Sequence, residues 1–211
     1  MNLPPYWDKA TRDLRQRDSV LEGLIAAYPD ARLQDRGAPF ETLARAIVGQ
    51  QISVLAADRV WERFVARVHP TGSPIPPESV ATVPLEELAP GCGLSRRKAE
   101  YIQDLALHFQ RGELEPDRWI TCSDEEVIQE LIRVRGIGRW TAEMFLFFNL
   151  RRPDIWPLDD IGLQKAVALH YFEGERPSRE VLREFGERFA PWRTVATWYL
   201  WRSLDPVVVQ Y

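Results

Sequence analysis

The chain has 211 residues, of which 45% are hydrophobic and 27% charged, and its formal charge is −4. That apolar share is enough for a sizeable core and excludes disordered, collagen-like and low-complexity chains. The negative total excludes a protein coated in positive potential, so any contact with nucleic acid has to be a local patch or a set of backbone N–H groups.

No basic-then-apolar segment opens the sequence, and the expectation is a cytoplasmic protein. Phe40, Leu43, Ala44, Ile47 and Val48 recur at the i, i+3, i+4, i+7, i+8 spacing of a buried helix face. Pro70 to Pro77 is the clearest loop, and Pro76 and Pro77 suit the start of a short helix. Ile102, Leu105, Ala106 and Phe109 repeat the helical spacing. One helix is expected to end near Arg135 and the next to begin around Arg139. Trp140 to Leu150 is apolar on nearly all sides, which predicts a central helix. Its most apolar part, Met144 to Leu150, is far below the roughly 20 residues of a membrane span.

Pro153 and Pro157 bracket a break, and Asp159 and Asp160 then precede a helix with Leu163, Ala166, Val167, His170 and Tyr171 on one face. Val181, Leu182, Phe185 and Phe189 predict another helix, and Trp192 to Leu204 the last. Only Val207 to Tyr211 looks strand-like, too little for a sheet. The expected class is all-α. Cys92 and Cys122 lack metal-ligand spacing, and His69, His108 and His170 share no spacing, so neither a disulfide framework nor a zinc site is expected.

Chemistry concentrates in Leu131-Ile-Arg-Val-Arg-Gly136-Ile-Gly138-Arg-Trp-Thr-Ala142. Gly136 and Gly138 let the chain turn and let another backbone come close. The helix start behind them points N–H groups and the positive end of its dipole outward, which suits a phosphate. Arg133, Arg135 and Arg139 add local positive charge. A bare Gly-x-Gly also fits an ordinary helix–turn–helix connection. Gly91-Cys-Gly93-Leu-Ser95-Arg-Arg-Lys98 repeats the pattern, with Ser95 as N-cap and Arg96, Arg97 and Lys98 as cations for a second strand's phosphates, or as a solvated charge run. An Asp before an apolar-periodic run is ordinarily an N-cap, but two adjacent Asp need not share that role.

These segments resemble the helix-hairpin-helix DNA glycosylase superfamily, and most closely its DNA-3-methyladenine glycosylase II branch. The residues that carry the resemblance are Gly49-Gln-Gln-Ile-Ser53, Gly93 to Ala99, Arg135 to Ala142, Pro157-Leu-Asp-Asp160, and Pro191-Trp-Arg193 with Trp201. They span roughly residues 40 to 202 in the family's order. The resemblance implies that Asp160 is the catalytic carboxylate and that Asp159 is a cap or ion-pair partner supporting it. It puts Trp140, Met144 and Trp201 in the base pocket, with Met144 replacing an aromatic of the branch. Gly136, Gly138, Arg139, Thr141, Ser95, Arg96, Arg97 and Lys98 fall at DNA-binding positions, and Gln51 at the residue that plugs the vacated base stack, although a polar residue there also fits a plain break between two helices. Bifunctional members carry a lysine where this chain has Trp140, so no lyase nucleophile is expected, and two upstream cysteines do not match the four of the iron–sulfur branch.

The expected architecture is two helical lobes with a catalytic cleft between them, residues 33–152 forming one and residues 1–32 with 153–211 the other. The expected function is hydrolysis of the N-glycosidic bond of alkylated purines, with 3-methyladenine and 7-methylguanine leading, in base excision repair. A glycosylase for deaminated or oxidised bases and a catalytically silent DNA-binding module remain as alternatives. The implied partner is double-stranded DNA, approached by a monomer associated with the nucleoid. No organic cofactor or catalytic metal is implied, although the family often holds a monovalent cation on hairpin carbonyls.

Overall fold

The computed structural model describes residues 4–29, 33, 37–72 and 74–204; Val207 to Tyr211 lie outside them. The described residues are all-α and contain no strand. In chain order the helices are α1 (Trp7–Arg17), α2 (Ser19–Ala27), α3 (Pro39–Gly49), α4 (Val54–Val68), α5 (Pro77–Ala81), α6 (Leu85–Cys92) and α7 (Arg96–Gln110). They continue with α8 (Pro116–Trp119), α9 (Asp124–Leu131), α10 (Arg139–Phe148), α11 (Ile161–Tyr171), α12 (Arg179–Gly186), a 3-10 turn (Glu187–Phe189) and α13 (Arg193–Leu204). None is long and apolar enough to cross a membrane.

The chain forms two compact units. The first takes the described parts of residues 1–35 and 146–209, the second those of 36–145, so the division falls inside α10, while the sequence reading put it after 152. In the first unit α13 packs against α1, α2 and α11. Its core is aromatic: Trp7 meets Trp198 edge-on at 6.4 Å and Tyr199 at 6.1 Å. α13 is buried nearly all round, as an apolar helix at the centre of a unit must be. In the second unit α7 packs on α3, α5 and α6, and α4 on α3 and α6. Phe40, Phe109, Trp119 and Phe145 form a chain of edge-to-face contacts there, with centroids 5.3–6.4 Å apart. Trp119 donates its indole N–H to buried Glu130 at 2.8 Å, so the carboxylate is held by a partner in the core.

α3 buries Phe40, Leu43, Ala44, Ile47 and Val48, the five residues its spacing singled out. Pro77 stands in the first turn of α5, where its missing N–H costs nothing. The first helix of the hairpin ends at Leu131, earlier than the expected Arg135. Arg133 N–H and Val134 N–H bond back only three residues, to Glu130 and Leu131, so Ile132–Arg135 tighten into turns. The helix expected from Val181, Leu182, Phe185 and Phe189 is α12 with the following 3-10 turn; it buries Leu182 and Phe189 and leaves Val181 42% exposed.

Candidate active site and nucleic-acid interface

In the first unit, Pro157-Leu-Asp-Asp160 makes a turn closed by Asp160 N–H on the Pro157 carbonyl at 3.0 Å. Asp160 then caps α11 with extended backbone angles, and its Oδ1 accepts from Leu163 N–H at 2.6 Å. The same oxygen accepts from the Trp201 indole N–H at 2.8 Å. The carboxylate is therefore only 6% exposed, aimed by two donors and placed at the positive end of a helix. Asp159 turns to Arg179, which bonds both its oxygens at 3.0 and 3.4 Å. Of the two roles open to Asp159, the structure shows the ion pair; the cap is Asp160.

Trp201 projects from α13 and stacks on Phe148, with centroids 6.0 Å apart and planes 16° apart, while Phe147 lies 4.9 Å away. Gly162 was not singled out by the sequence. A Cβ at that position would stand 3.1 Å from both Asp160 Oδ1 and the Trp201 ring, close enough that those groups would have to shift by a few tenths of an ångström. Only this close approach points to a role for Gly162; the sequence shows just a glycine in the first turn of a helix.

In the second unit, Gly136 turns the hairpin at φ +87°, and a Cβ there would meet the Tyr101 ring at 2.1 Å. The ring and the hairpin backbone touch because residue 136 has no side chain. At Gly138 nothing approaches within 4 Å of a Cβ position, so the turn is open at that residue. The ladder of α10 begins with Ala142 N–H on the Gly138 carbonyl, and the first-turn N–H groups point out of the helix end. Thr141 is buried, at 9% exposure. Trp140 is half-buried and Met144 is buried at 7% exposure.

The same unit brings several expected residues together. One open groove is lined by Gln51, Ser95, Arg97 and Lys98 together with Gly136 and Gly138. Ser95 caps α7 by accepting from Lys98 N–H at 3.3 Å. Gln50 donates from Nε2 to the Gly136 carbonyl at 2.9 Å, tying the α3–α4 loop to the hairpin. Gln51 is exposed at φ +59°, with Ile52, Val54 and Leu55 exposed beside it.

Two expected phosphate contacts are otherwise engaged. Lys98 reaches inward to the carbonyls of Val48 at 2.7 Å and Gln50 at 2.6 Å, and burial pulls its ammonium below the usual lysine range. These are carbonyls at the end of α3, which a cation satisfies. Arg139 bonds Glu125 at 3.1 and 2.7 Å and Glu143 at 3.1 Å. Hydrogen bonds from Arg139, then from Gln129, hold the Glu125 carboxyl down at about 2. Periodicity places a cation on a face but says nothing of the carboxylate or carbonyl that meets it. Arg96 is largely exposed and pairs with Glu100 at 3.3 Å. Among the described residues, no group of three or more His, Cys, Asp or Glu side chains could hold a metal ion.

Comparison with known proteins follows the same residues. The pattern of the HhH-GPD superfamily base excision DNA repair proteins matches residues 44–191. A DNA-3-methyladenine glycosylase of Schizosaccharomyces pombe is 32% identical over 184 residues, 85% of this chain and 78% of that protein. The crystal structure of a DNA-3-methyladenine glycosidase from Bacillus halodurans superposes with a TM-score of 0.87 at 33% identity, covering 97% of this chain and 93% of that one. A 3-methyladenine DNA glycosylase of S. pombe in complex with abasic DNA superposes with a TM-score of 0.80 at 29% identity, over 95% of this chain and all of that one. With its hairpin, its helix-capping aspartate and a match across most of its length, the chain belongs to the HhH-GPD superfamily of base excision DNA repair proteins.

Proposed function

We propose that this protein is a monofunctional DNA glycosylase that excises alkylated purines, 3-methyladenine and 7-methylguanine foremost, by hydrolysing the N-glycosidic bond. The observation that carries this reading is the Asp160 carboxylate, nearly buried and held on one oxygen by the Leu163 and Trp201 N–H groups. A group fixed in that way needs no reorganisation when charge develops beside it. As the bond stretches, C1′ becomes oxocarbenium-like, and a carboxylate stabilises that charge and orients water. An alkylated purine is already a good leaving group, so one carboxylate suffices.

A base in a duplex has to leave the stack before its sugar can be reached. The glycine hairpin and Ser95-capped α7, which share a groove, suit backbone phosphates of the duplex around such a base. Gln51, exposed at its loop, is the residue we assign to the vacated position. Trp140 and Trp201 offer aromatic faces, each worth about 0.5–2 kcal/mol to a cationic base. Trp140 stands where lyase-active relatives carry an amine, so strands break only when heat or alkali is added afterwards. The substrate also places the protein with the chromosome, in keeping with a cytoplasmic, nucleoid-associated enzyme.

The test is chromatographic identification of free bases released from methylated DNA, with Asp160→Asn run in parallel. Release of methylated purines by the wild type and its loss in the variant, with DNA binding retained, is the expected result. Binding without release by the wild type would favour the silent DNA-binding module.

A further inference from the structure

Lys98 and Arg139 are engaged by carbonyls and carboxylates, yet a DNA-binding hairpin on a chain of net charge −4 needs positive charge from somewhere. Arg97 and Arg135 supply it, and they converge on one side chain. Arg97 donates from Nε to the Tyr101 hydroxyl, and its guanidinium lies 5.5 Å from the ring centroid. The Arg135 guanidinium lies 5.9 Å from the same centroid. Tyr101 is pinned in turn against the hairpin, at the place where only glycine fits at residue 136. The backbone beside it is fixed as well, since Arg135 N–H donates to Asp104 Oδ2 at 2.9 Å.

These residues line a second open concavity, which shares Arg97, Tyr101 and Gly136 with the hairpin groove and adds Arg96, Glu100 and Arg135. Three guanidiniums there face one carboxylate. Glu100 meets Arg96 at 3.3 Å and Arg135 at only 3.5 Å, and all three are solvent-accessible, so those pairs are weak and easily exchanged. Arg97 has no carboxylate partner among the described residues.

We propose that Arg97, Tyr101 and Arg135 form a second phosphate notch beside the hairpin, filled by a backbone phosphate of duplex DNA next to the one at Gly138. The proposal rests on the DNA-glycosylase reading and extends its footprint. Guanidinium forks match a phosphate's oxygens two at a time. The Tyr101 hydroxyl, which accepts from Arg97, has its own hydrogen to give to a third oxygen. The notch replaces, as cation donors, the two residues that the fold has engaged elsewhere.

The experiment is equilibrium binding of the full chain to a duplex carrying an uncleavable abasic-site analogue, measured across a salt series. Arg97→Gln and Arg135→Gln are each expected to lower the slope of log affinity against log salt, by up to about 0.9, the value of one phosphate contact. Each is also expected to weaken binding at low salt several-fold. Arg133→Gln removes an exposed arginine from the same turn that lines neither groove, and its slope should match the wild type. Unchanged slopes in the Arg97 and Arg135 variants, or an equal fall in Arg133→Gln, overturn the notch. If the wild type still releases methylated bases in that case, the glycosylase reading stands without it. A wild type that neither binds the duplex nor releases a base brings both down.

Discussion

Asp160 has two tasks, capping α11 and presenting a carboxylate, and a substitution can separate them. Asparagine caps a helix as well as aspartate does, whereas alanine loses about 1 kcal/mol of capping. Asp160→Asn therefore removes the charge and keeps the hydrogen bonds to Leu163 and Trp201. Its neighbour is a useful contrast. The Asp159–Arg179 pair is half-exposed on both sides, so Asp159→Asn is expected to cost no more than about 1 kcal/mol in urea unfolding and to leave base release intact. At Gly162 the expectation is the reverse. Gly162→Ala sets a Cβ 3.1 Å from Asp160 Oδ1 and from a Trp201 ring that Phe147 and Phe148 hold in place. Single-turnover base release should fall about tenfold, which is ~1.4 kcal/mol in the barrier, while the unfolding midpoint moves little. Unchanged release would show that Trp201 gives way and that its contact with Asp160 does not matter. The sequence showed a pair of Asp before a helix and did not show, without the family resemblance, which one faces inward. That depends on Trp201, 41 positions along the chain, and on a glycine whose role lies in what it lacks.

The hairpin shows what element-scale patterns carry and what they omit. The position of α10, its all-round burial and the turn at Gly136 and Gly138 could all be read from glycine placement and apolar spacing. α9 ends at Leu131, before the expected Arg135, and the signal its sequence carries is at the other end. Ser123-x-x-Glu126 is a capping box, with Ser123 Oγ accepting from Glu126 N–H at 3.3 Å and the Glu126 carboxylate accepting from Ser123 N–H at 2.7 Å. It starts the helix at Asp124, and the helix closes in the three-residue turns that begin at Arg133 N–H. The partners of Lys98 and Arg139 could not be read at all, because they lie on other elements. Gly136→Ala is the decisive substitution at this scale. A Cβ at φ +87° and 2.1 Å from the Tyr101 ring has to move the ring or the turn. We expect a stability loss of about 1–3 kcal/mol by denaturant titration, together with a large loss of DNA affinity. Wild-type affinity in this variant would show that the glycine turn does not contact DNA.

At the scale of the whole molecule, an acidic chain is proposed to bind a polyanion, and its charge pattern explains how. Carboxylates neutralise Arg139 and partly screen Arg96 and Arg135, so the surface available to phosphate is narrow and built largely on backbone N–H groups at helix starts. The tryptophans divide similarly. Trp7, Trp119 and Trp198 are buried in the two cores, whereas Trp140 and Trp201 keep partial exposure. The all-α class followed from spacing alone, because most helices bury one periodic face; the assignment of chemistry needed the ordered motifs together. What tests the account most directly is the set of free bases in solution after incubation with methylated duplex DNA, compared between wild type and Asp160→Asn. Methylated purines from the wild type, none from the variant, and intact strands until alkali is added is the outcome expected. Equal release by the two proteins would contradict it.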